Sequence, residues 1–318
     1  MKLPQHGWLK VQLHSHSTRS DGRLEPQKVV DFYANAGFSV VSITDHNKIT
    51  QVLHPHVLTP PGLEVAVREN GDEFHIVVIG AEELPPMAVR SSVSHVFEWC
   101  RDNDLYAFLA HPYWSMLNAG DLLNLKSCYG VEVYNHGCEV EISRGYSGHH
   151  WDYVLSKGLM LQGLAVDDSH TYTVDSLGGW LEVDAESLDP EAVIKALKSG
   201  HFYASSGVKV ESFEWENGFV RIKTCGANVV KLLSGNTKGA YLSFNLLRKL
   251  ANTEGLPLDV ELWEEGFRIK SREVTVEGKL RANLFVEVVM RGQIPARGYA
   301  RLELIEGLCS AWLNPVKV

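Results

Sequence analysis

Near its start the chain reads Leu13-His14-Ser15-His16-Ser17-Thr18-Arg19-Ser20-Asp21-Gly22, and one short α/β unit later it reads Thr44-Asp45-His46-Asn47. Two histidines separated by one residue at the end of an apolar run project to the same side of a strand. Asp21 follows within the next turn, so three metal-capable side chains crowd one strand end. Further acids and imidazoles close later strand-like runs: Glu64, His75, His111, Asp168 and His170. Neutral imidazole and carboxylate together suit zinc, manganese or iron. One such residue arises by chance; His14, His16, Asp21, His46, Glu64, His75, His111, Asp168 and His170, all at strand ends, point to a multinuclear metallohydrolase.

Each member has a plainer reading. The chain has 14 histidines, and His6, His54, His56, His95, His136, His149, His150 and His201 carry no metal role. Glu64, in Pro60-Pro61-Gly62-Leu63-Glu64, reads alone as an exposed acid and gains meaning as a bridging carboxylate. His75 opens His-Ile-Val-Val-Ile-Gly, with Glu73 or Glu69 as substitutes nearby. His111 closes Tyr-Ala-Phe-Leu-Ala, where a buried imidazole without a partner would be costly. In Asp167-Asp168-Ser169-His170, Asp168 and His170 fall on one side of the chain, so Asp168 is preferred to Asp167. Arg19 sits inside the first ligand loop, either gripping an anionic substrate group or solvated. Tyr113, His136 and His149 fall near the expected mouth, as leaving-group acids or as packing residues.

The elements that must position these groups alternate up to about residue 207. Strand-like runs are Trp8–His14, Ser39–Asp45, His75–Ala81, Tyr106–His111, Gly130–Asn135, Met160–Asp167 and Gly178–Val183. Between them, Pro26–Ala36 carries apolar residues at helical spacing and Gly37 stops it. Asp189-Pro190-Glu191 supplies a cap, a first-turn proline and a first-turn acid for a helix ending at Gly200. Ala88–Asp102 and Tyr146–Lys157 read the same way. Repeated βα units predict a parallel sheet or closed barrel with functional residues at the C-terminal strand ends. From about residue 208, Val210–Trp215, Phe219–Thr224, Asn228–Leu233, Phe267–Lys270, Leu284–Met290 and Tyr299–Ile305 read as short strands. One helical stretch, Leu242–Thr253, interrupts them, giving a small β-sandwich-like domain. The expected division is therefore 1–207 and 208–318.

The 318 residues are 45% hydrophobic and 22% charged, as in an ordinary globular protein, with a net charge of −9. That balance lacks the electrostatic footprint of a nucleic-acid or anionic-membrane binder. Five cysteines without CxxC spacing read as free thiols rather than disulfides or structural zinc ligands. The first residues have no apolar signal-type run and no later run reaches spanning length, so a cytoplasmic location is expected.

The segments LHSHSTRSDG, TDHN, PGLE, HIVVIG, AHP, VEVYN and AVDDSH, with GGWLEVDAESLDPEAVIKALKSGHFYASSG and YARLELIEGLCSAWLNP, resemble the PHP (polymerase and histidinol phosphatase) superfamily of metal-dependent phosphoesterases. Within it the chain looks most like the CehA/McbA-type metallohydrolase branch, although Lys238 to Arg281 is longer than that branch would have. The resemblance implies a distorted (β/α)7 barrel over the first two thirds of the chain. It implies three adjacent metals: one on His14, His16, Glu64 and Asp168; a second bridged by Glu64 and held by His75 and His111; a third on Asp21, His46 and His170.

Two or three divalent ions (Zn, Mn or Fe) would then supply a metal-activated hydroxide, so no nucleophilic serine or cysteine is needed. The expected activity is hydrolysis of a small phosphate mono- or diester. The alternatives are carboxyl-ester, carbamate or amide hydrolysis on the same metals, and a non-catalytic binding module. The partner is a small anionic or ester substrate, with neither nucleic acid nor membrane; oligomeric state is left open.

Overall fold

The computed structural model describes residues 1–235 and 237–318 and divides into two compact units, His6–Ala204 and Met1–Gln5 with Ser205–Val318. The strand β1 (Lys2–Leu3) belongs to the latter. The His6–Ala204 unit runs β2 (Leu9–Gln12), α1 (Pro26–Asn35), β3 (Val40–Val41), β4 (Gly62–Glu69), β5 (Asp72–Ile79), α2 (Val93–Asp102) and β6 (Tyr106–Leu109). It continues β7 (Gly130–Asn135), α3 (His136–Ile142), α4 (Gly148–Ser156), β8 (Gln162–Val166), β9 (Trp180–Val183) and α5 (Pro190–Lys198), and β10 (Phe202–Ser205) closes it.

The helix signals act as written. Pro26 starts α1, and Gly37 follows its end at φ 81°, the left-handed position that glycine adopts without a Cβ penalty. Val29, Val30 and Tyr33 of α1 are buried against Phe38, Val41, Ile43, Val57 and Tyr172. At the start of α5 the Asp189 carboxylate accepts the Ala192 amide at 3.0 Å. A helix absent from the sequence reading, α3, is capped by Asn135, whose side chain accepts the Cys138 amide at 2.9 Å.

The strands depart from the expected closed parallel barrel, because they lie in two separate ladders. β4 to β8 are neighbours in chain order; β4/β5 and β5/β6 are antiparallel, while β6/β7 and β7/β8 are parallel. β10, β9, β2 and β3 lie side by side, β2 parallel to β3 and antiparallel to β9. The antiparallel start comes from Asn70-Gly71, with φ 55° and 95°: two positive-φ residues make the tight hairpin turn whose twist suits paired strands. Isolated bridges tie one ladder's edges to the other's: Ser15 to Ser169 on one side, and on the other His46 to Glu64, with Thr50 bridged to both Ile43 and Gly62. The physical reason is local. Asn47, His111 and Asp168 turn at φ 53°, 25° and 55°, and a strand cannot continue its ladder through such positions.

Every residue of β7 and β8 is buried, as for parallel strands covered on both faces. Burying an apolar side chain of valine or leucine size contributes about 1.5–3 kcal/mol, so these strands make a stiff floor.

The second unit holds two antiparallel ladders. One orders β1, Val210–Glu216, Phe219–Ala227, Leu284–Gly292, Val274–Arg281, Gly266–Lys270 and Asp259–Trp263; the other orders Gly239–Ser243, Val229–Ser234, Tyr299–Glu306 and Cys309–Leu313. The long stretch Lys238 to Arg281 forms a strand, the helix Phe244–Ala251 and three strands of the first ladder. No helix among the described residues is long and apolar enough to cross a membrane.

Candidate metal centre

The site is built beyond the ends of β2, β3, β6 and β8 and, against the expectation of strand ends throughout, from within β4 and β5, where Glu64 and His75 stand. His14 and His16, both fully buried, leave β2 with their Nε2 atoms 3.3 Å apart. Asp168 Oδ1 lies 3.2 Å from His14 Nε2 and 3.0 Å from His16 Nε2. Glu64 occupies β4, not a loop, and is 1% exposed. Its Oε1 lies 2.8 Å from His75 Nδ1 and 3.3 Å from His111 Nε2, and its Oε2 3.0 Å from His46 Nδ1. Asp21 faces His46 Nε2 at 3.3 Å, and His16 Nδ1 and His170 Nε2 at 3.6 Å.

All nine residues singled out in the sequence therefore converge, in four overlapping groups: His16, Asp21, His46 and His170; His14, His16 and Asp168; His14, Glu64 and His111; His46, Glu64 and His75. His16 thus also stands with the residues that the resemblance reserves for a third ion. Of the substitutes for His75, Glu73 lies 3.1 Å from its Nε2. Glu69 instead holds the Val93 amide at the start of α2.

Two supporting residues behind the cluster, Glu132 and Asn135, are not singled out by the sequence. Glu132 of β7 is fully buried; its Oε1 lies 2.7 Å from His14 Nδ1, and its Oε2 accepts the His111 amide at 2.8 Å and the Asn135 amide group at 2.9 Å. Asn135 also donates to Asp168 Oδ2 at 3.1 Å. A carboxylate behind a ligating imidazole fixes its tautomer and orientation. An acid inside the apolar run Val131–Val133 was the available signal, because a lone buried carboxylate costs several kcal/mol.

Asp45, beside His46, turns away from the cluster. It accepts from the Ser17 amide at 2.7 Å and from the Ser17, Ser20 and Thr50 hydroxyls at 2.6 Å. It thereby clamps the loop that carries Asp21. Gly22 in that loop cannot be enlarged: a Cβ would sit 2.2 Å from the His16 carbonyl oxygen. Across the site, Asp167 accepts the amides of Leu177, Gly178 and Gly179 at 2.7–2.8 Å. Asp175 holds those of His170, Thr171 and Thr173.

Burial opposes ionisation throughout, and the pairing overrides it. Desolvation would raise Glu64, yet the imidazoles of His14, His111 and His46 hold it well below the ordinary carboxylate range. Asp168 is depressed likewise, by His14 and His16. Burial would lower His14, but Asp168, Glu132 and Glu64 raise it well above its usual value. Burial also opposes protonation of His75, while Glu64 and Glu73 hold it up to about 9. For His16 burial prevails and its pKa is lowered.

These residues fit a group of divalent cations. Glu64 Oε2 and Asp168 Oδ1 are buried and make no hydrogen bond, although imidazole nitrogens stand 3.0 Å from each. Close approach without donor geometry is what nitrogen and oxygen lone pairs aimed at a shared cation would give. No cysteine belongs to the groups, and burial pushes the Cys138 thiol up, away from the thiolate a metal needs.

A cavity of about 530 Å³ opens over the cluster, lined by most of its members and by residues of α3 and the 171–175 loop. The expected substrate and acid residues lie outside that lining. Arg19 is exposed in its loop. Tyr113 has its ring beside His150, with centroids 6.4 Å apart. His136 engages Tyr134 Oη through Nδ1 and the Val174 carbonyl through Nε2. His149 is exposed on α4. Trp114, one residue beyond Tyr113, lines the cavity instead.

No family model matches the chain, and no curated protein matches it. Solved structures do. A chain from Bacteroides vulgatus, described as a two-domain protein containing a predicted PHP-like metal-dependent phosphoesterase, is 15% identical with a TM-score of 0.51; the match covers 98% of this chain and 95% of that one. An amidohydrolase from Chromobacterium violaceum, with bound sulfate and no metal, is 16% identical with a TM-score of 0.39, over 60% of this chain and 96% of its own. A protein from Bifidobacterium adolescentis, provisionally described as a metal-dependent phosphoesterase, is 14% identical with a TM-score of 0.39, over 61% and 96%. Fold and site together define an α/β protein of two compact units that shares its fold with the Bacteroides chain and carries a largely buried His and carboxylate cluster able to hold metal. The Bacteroides match carries the fold; the two weaker ones carry no part of the argument.

Proposed function

We propose that the protein is a metal-dependent hydrolase of the PHP superfamily, akin to its CehA/McbA-type branch, acting on a small phosphate mono- or diester. We read the two bridged ladders as an opened form of that superfamily's (β/α)7 barrel. The observation that carries the proposal is the pair of orphaned buried oxygens, Glu64 Oε2 and Asp168 Oδ1, facing imidazoles from three separate segments, those of His14 and His16, of His46 and of His170.

Zinc, manganese or iron, two or three ions, would be held by the nine clustered residues, and would acidify a water and neutralise charge on phosphoryl oxygens. The chain's own contributions can be named. Glu132 fixes the His14 ring from behind, and Glu73 does the same for His75. Asp45 and Asp175 hold the loops that bear Asp21 and His170. The buried floor excludes bulk water from the far side of the cluster, which strengthens every electrostatic interaction within it.

A second reading, cleavage of a carboxyl ester, carbamate or amide, is supported by a cavity lining that contains no lysine or arginine for a phosphate dianion. Elemental analysis, with a parallel screen of phosphate and carboxyl esters, tests both. Metal in the isolated protein and turnover lost in His14→Ala are expected. A metal-free protein whose stability ignores chelator would remove the enzymatic reading, and preference for carboxyl esters would select the second.

A further inference from the structure

The wall of the cavity is unlike its floor. Trp114, Val140 and Val174 line it while remaining 37%, 44% and 72% exposed. Trp114 lies against the cluster, its ring 5.0 Å from that of His111 and 6.0 Å from that of His75, centroid to centroid. Large apolar side chains held open to solvent around a polar floor mark a surface that an apolar ligand covers. The charge pattern agrees. Apart from the clustered residues, the charged side chains of the lining are the acids Glu141 and Asp175. Arg19 and Lys48, on the loops beside Asp21 and His46, stand outside it.

We propose that the site selects an ester whose departing group is uncharged, apolar and of aromatic-ring size, packed against Trp114, Val140 and Val174. A metabolite bearing a second anionic group would meet acids where it needed a cation, and leave the indole uncovered. This rests on the hydrolase reading above. In the reaction, water supplies hydroxyl to phosphorus, the phosphorus–oxygen bond to the departing group breaks, and that oxygen leaves with a proton as the free alcohol or phenol.

Binding separates packing from leaving-group reactivity, because phosphonates present the same groups without being cleaved. Calorimetric titration of the metal-loaded protein with phenylphosphonate and methylphosphonate is expected to show ~10- to 100-fold tighter binding of the former, the size of a buried ring. Trp114→Ala erases that ratio and Trp114→Phe keeps most of it. Adding a para-carboxylate to the phenyl ring weakens binding. Equal affinity for phenyl and methyl compounds, or a ratio untouched in Trp114→Ala, overturns the proposal while leaving the hydrolase standing. Tighter binding of the carboxylated compound, lost in Arg19→Ala, would hand the mouth to Arg19 and overturn it too. Failure of every phosphonate to bind, together with no ester turnover, removes both readings.

Discussion

At the scale of single residues, protons and cations compete for the same atoms. In the metal-free protein Glu64 and Glu73 hold the His75 imidazole protonated up to about 9, whereas a metal ligand must be neutral. The raised value means that this pairing stabilises the metal-free fold below about pH 6.5, and that the contribution fades as pH climbs to about 9. Metal capture strengthens across the same window. The gap in Tm between loaded and chelated protein is therefore expected to widen from pH 6.5 to 9 in thermal unfolding scans. A gap independent of pH would mean that His75 holds no ion. Glu132→Gln, which keeps shape but weakens the grip on His14, is expected to lower metal affinity about 10- to 100-fold, as read by competition with a chromogenic chelator.

The convergence of the nine residues is legible because imidazoles and carboxylates recurring in or just beyond apolar runs have few other uses, although His75 stands inside β5 rather than at a strand end. Glu132 is not: its meaning depends on His14, 118 positions away, and nothing in Val-Glu-Val announces that partner. Nearness to a strand end singles out Tyr113, His136 and His149 but does not tell where a side chain points.

At the scale of elements, the hairpin of β4 and β5 presents Glu64 and His75 from neighbouring strands, and its register pairs His75 with Ala66. A slip of one residue between the strands would send His75 to the face opposite Glu64. Gly71, at φ 95° with open space where a Cβ would go, is strained by any side chain without being crowded. Gly71→Ala is expected to cost about 1–2 kcal/mol in urea unfolding. An unchanged midpoint would show that the turn does not need its left-handed residue. The Asn-Gly pair is a strong hairpin sign, yet β4 is hidden in the sequence because Pro60-Pro61 just before it reads as loop. The helices α1 and α5 were legible from cap, proline and glycine. Ladder closure was not, since it depends on backbone turns at His111 and Asp168 that no residue type there announces.

At the scale of the whole molecule, all the candidate ligands belong to the His6–Ala204 unit, and each divalent ion bound would offset part of a net charge of −9. Chelation is expected to speed amide hydrogen exchange at residues 14–22, 44–47, 62–77, 109–115 and 166–179. The strands Phe219–Ala227 and Leu284–Gly292 should be left as they were. Uniform loosening across the chain would contradict a locally anchored cluster.

The bridges between the ladders couple the fold to the cluster. His46 pairs with Glu64 through the backbone at one seam, and Ser15 with Ser169, flanked by His14, His16, Asp168 and His170, at the other. The stitches between the ladders are thus the segments that carry the candidate ligands. A substitution that shifts the backbone at His46 or beside Asp168 therefore loosens a seam and the cluster together.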